Sequence, residues 1–303
     1  MKNRICILFM LTLSLSAYNQ QINYEVLKDE PKEPNVSINL DFFNLDMNTG
    51  YPNLRLDNMS MNLGLFGFVQ VVQPLEIDFN IHKSWLALGK IGFKEYPGNF
   101  ELNTGVNFWL TNRNVTKNTK IVLKQTETRT SSETITSTTY IMAPAQHIKR
   151  FGFRGGLYSK SGPFNFDEYT DGANPSGIDE TKISSMGLYG GLTFRNLTNI
   201  IITDDHFGRS MNSIGRDVYF DAFFVPVNRF KDLNAEGALV TETVKDFKSV
   251  LPFGFRVGFR SYQIEKRKMT LKKFGMAALG EFGYKPYQGW FITAGLGVTI
   301  VKR

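Results

Sequence analysis

The sequence predicts an all-β fold: a transmembrane, antiparallel, up-and-down β-barrel of about twelve strands, with ten to fourteen also compatible with the pattern. Three observations predict it. Apolar and polar residues alternate with period two through most of the chain, as strands with two unlike faces require. The polar faces carry Gly, Asn, Asp, Glu and Arg in strand after strand. Aromatic residues (Trp85, Tyr96, Trp109, Tyr158, Tyr284, Trp290) gather near strand ends, as interfacial girdles do. Alternation alone does not say which face is inside. The glycine-rich polar faces and the aromatic ends decide for lipid outside, and a sheet in hydrocarbon must close because an open edge cannot stay unpaired there.

The chain starts with Lys2 and Arg4, an apolar run over 5–15 and the small residues Ser14, Ser16 and Ala17, so 1–19 reads as a signal peptide. The single cysteine, Cys6, lies in that leader, and the mature chain then has neither disulfides nor thiolate metal sites. Residues 20–34, with Asp29, Glu30, Pro31, Glu33 and Pro34, read as a flexible periplasmic lead-in.

From 35 to 303 the barrel is expected. Val36, Ile38, Leu40 and Phe42 alternate with Ser37, Asn39 and Asp41. Leu63, Leu65, Val69 and Val71 form the next strand, whose other face carries Phe66 and Phe68. Leu75, Ile77, Phe79 and Ile81 alternate with Glu76, Asp78, Asn80 and His82, and Phe100, Leu102, Val106 and Phe108 with Glu101, Asn103 and Asn107. The stretch 117–140 is Thr-rich and reads as a polar hairpin projecting into water, with a disordered loop as the alternative. Strands around Phe153, Leu188, Phe220 and Phe255 follow, and the pair Phe274–Tyr284 and Trp290–Val301 closes the chain. With the two hairpin arms the count is twelve. Both termini then share one side, and the long connections 44–58, 160–183 and 227–250 fall on the other. The segment 197–214 falls on the terminal side and is too long for a turn. It is either an extra strand or a piece folded under or into the lumen.

A net charge of +7 and a pI near 9.3 come from basic residues scattered among acids, without a dense Lys/Arg patch interleaved with aromatics, so nucleic acid is not an expected partner. Mean hydropathy of -0.21 argues against a helical membrane protein and leaves a barrel open.

The leader followed by Gln20 and Gln21, the run from Phe253 to Phe259 with glycines between aromatics, and the ending from Gly289 to Gly297 resemble porin-like outer-membrane β-barrel proteins of the Bacteroidetes type. The segment 186–192 is similar to barrels associated with type IX secretion. The likeness implies a Gram-negative outer-membrane location and lipid as the surrounding partner. One departure is the ending Val301, Lys302, Arg303, where many such barrels end in an aromatic residue.

If apolar faces meet lipid, Asp41, Glu76, Asp78 and Glu101 line one half of the lumen. Arg154, Arg195, Arg256 and Arg260 line the other, with Glu281 among them. Facing halves of opposite charge suit a constriction with a transverse field, which filters polar solutes. Equally, such charges can pair and fill a closed interior. The expected function is therefore a porin-like channel for small polar solutes. The alternative is a non-conducting structural or assembly partner that holds another envelope protein through its loops. Asp204, Asp205 and His206 resemble one motif of omptin-type surface proteases, but no Asp-x-Asp partner accompanies them, so a surface hydrolase ranks last and no catalytic residue is assigned. No cofactor or metal site is expected, since His82 has no ligand cluster of recognisable spacing.

Overall fold

A computed structural model describes residues 23–49, 58–87, 99–129, 133–164, 178–234, 239–240, 251–264, 275–286 and 288–302. The expected signal peptide and Cys6, and the middle of each long connection, lie outside the described residues. The strands are β1 (Tyr24–Asp29), β2 (Val36–Thr49), β3 (Asn58–Val72), β4 (Leu75–Ala87), β5 (Phe100–Arg129), β6 (Thr134–Phe164), β7 (Ile178–Asp204), β8 (Gly208–Asn234), β9 (Leu239–Val240), β10 (Phe253–Gln263), β11 (Gly275–Lys285) and β12 (Gly289–Lys302).

Each strand from β2 to β8 pairs antiparallel with the next, β8 pairs with β10, and β10 to β12 continue in order. The last strand returns to the first of the ring, from Trp290↔Thr49 to Lys302↔Val36, so the sheet closes. The ring has ten strands, at the low end of the expected range and not twelve. The two arms of the 117–140 hairpin are not separate barrel strands. They are the far halves of β5 and β6, which run for 30 and 31 residues and stay paired from Phe100↔Ser161 to Arg129↔Thr134.

The segment 197–214 resolves in the same way. It is the far part of β7 and β8, joined by a turn in which the Asp204 carboxylate accepts from the His206 and Phe207 backbone N–H groups. Gly208 completes it at φ 72°, a left-handed value that costs glycine little. Both long hairpins leave the ring at the end where β2 begins and β12 finishes, here the terminal end. The strand ends that flank the long connections, such as Thr49 and Asn58, lie at the opposite, loop end.

The lead-in is a second correction. Part of 20–34, expected to be flexible, forms β1, which pairs with β7 from Tyr24↔Asp204 to Asp29↔Ile200. The place is available because the β6–β7 ladder stops at His147↔Thr198. The Asp29 carboxylate accepts from the Gln146 N–H at 2.9 and 3.1 Å, which ties β1 to the edge of β6 as well.

The ring is apolar outside and polar inside. Outward residues such as Phe153, Leu157, Leu188, Phe255 and Leu296 are exposed, whereas inward Asp, Glu, Asn, Lys and Arg are buried. An eleven-residue strand such as β10, at about 3.4 Å per step and a tilt of roughly 40°, rises about 26 Å, close to the ~25 Å apolar band of membrane barrels. At the terminal end of the lumen the inner face turns apolar, where Phe66, Phe68, Leu197, Tyr262, Ile264, Ala277 and Leu279 pack together. A separate cluster of Ile121, Ala143, Ala145, Ile200 and Ile202 holds the two long hairpins together.

Candidate functional site

The nine residues expected to line the lumen all sit on the inner face of the ring. None is more than 4% exposed. Period-two alternation puts them there, and closure of the ring then brings distant strands within bonding range.

Asp78 on β4 is the centre of the network. It accepts from Arg154 of β6 at 3.0 Å and from Arg260 of β10 across the lumen. Arg256 donates to Asp221 at 2.6 and 2.9 Å and to Glu281 at 3.2 Å. Glu281 also accepts from the Tyr219 hydroxyl. The Tyr219 ring lies 4.0, 5.4 and 5.0 Å from the guanidinium carbons of Arg154, Arg256 and Arg260, so one aromatic ring serves three cations. The ring lies flat on the wall because position 258 is glycine; a Cβ there would overlap it.

Toward the loop end, Lys160 bridges Asp46 at 2.9 Å and Glu101 at 3.3 Å, and Lys285 donates to both oxygens of Glu101 at 2.7 and 2.9 Å. Toward the terminal end, Arg195 forks onto Glu76 at 2.5 and 3.0 Å and onto Asp217 at 2.8 and 2.9 Å. Its flat face covers Phe68, with 4.0 Å from guanidinium to ring centroid. Glu33, from the supposed lead-in, enters this end and pairs with Arg150 and with Arg195. Asp41 accepts from Asn44, which also contacts His82.

Acids of β4 and β5 do meet cations of later strands across the lumen, but charge is not segregated into halves. Asp217 and Asp221 stand directly opposite Arg195 and Arg256 in the ladders, so each arginine has an acid on the neighbouring strand. The alternation around Tyr219 puts both acids on the inner face, which makes them legible. Lys160 and Lys285 border connections, and Asp46 and Glu33 lie in stretches read as loop or lead-in, so period two alone gives no reason to place them inside. Arrays this well paired leave little field across the lumen. Accessible surface includes the walls of any water-filled space, and these side chains have almost none. At their level the lumen is filled by side chains.

Below the ring, His147 is buried between the hairpins. Its ring nitrogens contact Thr119 and Thr198 at 2.8 Å and Asn196 at 3.3 Å. Burial, with Lys149 and Lys117 nearby, lowers its pKa from the usual 6.5 despite the Asn196 contact, which acts the other way. A cavity of about 160 Å³ opens between β5, β8 and Gln263, lined by Lys120, Val122, Met211 and Ile214. His206 sits in the β7–β8 turn, where the Asp204 carboxylate is engaged by backbone N–H groups. Among the described residues no three His, Cys, Asp or Glu side chains group to hold a metal ion. No protein-family model matches the chain, and no curated protein matches it either.

Proposed function

We propose that this chain is a non-conducting β-barrel of a Gram-negative outer membrane that anchors its two long hairpins as a scaffold for another envelope component. One observation carries the reading: ion-paired side chains with almost no accessible surface fill the lumen from Asp46 to Arg195. The exposed apolar exterior supports lipid as its surroundings. The hairpin pair supports the scaffold role. Beyond Lys124 both faces of the β5–β6 tip are exposed, as a projecting contact element requires.

A porin-like channel for small polar solutes needs water beside Arg256 and Arg260, which are 1% and 3% exposed. An enzymatic role is not proposed, because Asp204 beside His206 is committed to the turn. Planar-bilayer recording tests the reading directly. Folded protein should insert without stepwise conductance; reproducible channels that weaken in Arg256→Ala would restore the pore. A partner lost on trimming 124–138, under gentle extraction, is the second expectation. Recovery of the same partner with the trimmed protein would sink the scaffold role.

A further inference from the structure

The outward face of the ring changes character between two adjacent rows. In one row Phe151, Phe194, Val218 and Phe259 stand opposite one another on β6, β7, β8 and β10. Phe151 and Phe194 are in ring contact, with centroids 4.9 Å apart. Two residues toward the terminal end, on the same face, the next row reads Arg113, Lys149, Asn196 and Arg216, again directly opposite one another from β5 to β8. Lys117 lies on that face of β5, four residues from Arg113. Same-face rows are about 7 Å apart, so an apolar surface gives way to a cationic one over a single step.

These cations stand against one another without anions. Arg113 is the direct cross-strand partner of Lys149, an arrangement that like charges disfavour. Lys117 pushes the Lys149 pKa down, as two ammonium groups at close range do. Among the described residues no ion pair reaches Arg113, Lys117, Lys149 or Arg216. Arg113, Lys117 and Arg216 are exposed and Lys149 is half-buried. Among the described residues the row lies on the side of the ring that carries the two hairpins.

Resting on the membrane reading above, we propose that Arg113, Lys117, Lys149 and Arg216 form a binding rim for the phosphate of acidic phospholipid head groups, in the leaflet facing the termini. The aromatic row would lie against the first acyl carbons. Phosphate accepts from several cations at once, and its charge relieves the repulsion between Arg113, Lys117 and Lys149. Head groups held beside the hairpins would also fix how the hairpin pair stands relative to the bilayer.

The test is native mass spectrometry of the full chain in micelles, with short-chain phosphatidylglycerol, short-chain phosphatidylcholine and inorganic phosphate offered separately. Wild type should retain phosphatidylglycerol over phosphatidylcholine. The variant Arg113→Gln, Lys117→Gln, Lys149→Gln, Arg216→Gln should lower that retention by about tenfold or more. A Lys117→Arg, Lys149→Arg variant should keep it and serves as the folding control, with heat-modifiable gel migration confirming an intact barrel. Equal retention of the two lipids by wild type, or an undiminished preference in the Gln variant, overturns the rim. Binding of inorganic phosphate with no lipid preference overturns the lipid assignment. Insertion into phosphatidylcholine vesicles separates the two readings: failure to insert at all sinks the membrane reading, while insertion without lipid preference sinks only the rim.

Discussion

Within the ring, β6 and β7 turn Arg154, Lys160 and Arg195 inward and leave Phe153, Leu157 and Phe194 exposed. A few residues nearer the termini, the same two strands bury Ala143, Ala145, Ile200 and Ile202. By parity these lie on the face that is outward higher up. The two regions therefore bury opposite faces of one continuous ladder. In the ring, the curvature of a closed sheet decides which face is inside, and the charges there must find partners because water is excluded. Below it, β6 and β7 separate, β1 fills the vacated edge, and the apolar face is covered by the other hairpin. One core is held by ion pairs and the other by hydrophobic contact. Past the ring and its cationic row, the outer face turns apolar again and finds cover within the protein.

The largest expected effect breaks the ring core alone. Asp78→Ala leaves Arg154 and Arg260 without their shared acceptor and should destabilise the barrel by about 3–5 kcal/mol, read from urea unfolding in micelles. The hairpin pair should hold its amide-exchange protection until the ring opens; simultaneous loss of both at the wild-type midpoint would merge the two cores into one. The converse variant, Ile202→Ala, should cost about 2–4 kcal/mol locally. It should expose the hairpins to protease while heat-modifiable migration of the barrel stays unchanged.

Gly258→Ala asks how tightly the ring interior is filled. A methyl group there meets the Tyr219 ring, so about 1–3 kcal/mol should be lost by overpacking. A neutral outcome by thermal denaturation would mean that the lumen has room to spare. The smallest effect concerns His147. Its pKa is depressed in the fold, so its neutral form is preferred there. Stability is fully present above about pH 6.5 and falls as pH drops from there through the folded value, then levels off. Amide-exchange protection in the hairpins should fall on acidification, and His147→Gln should remove that fall.

Much of this was legible because period two is a local property. Asp41, Glu76, Asp78, Glu101, Arg154, Arg195, Arg256, Arg260 and Glu281 each face inward as their neighbours' alternation requires. Strand number was less legible. The apolar pattern of β5 fades after Leu110 without the strand ending, because what changes there is the surroundings. That fading made one long hairpin look like two extra staves. Glu33 was invisible for a different reason. A Pro-flanked acid in a polar stretch carries no sign that Arg150 and Arg195 wait for it at the mouth of the ring.

By itself the sequence determined the strand character, the two unlike faces and which side chains share a face, since each follows from neighbours two residues apart. Only the tertiary structure decided that ten strands close the ring, that β1 completes the edge of β7, and which acid meets which arginine. Those depend on register and closure, which join residues such as Asp78 and Arg260, 182 positions apart, through no local pattern in the chain.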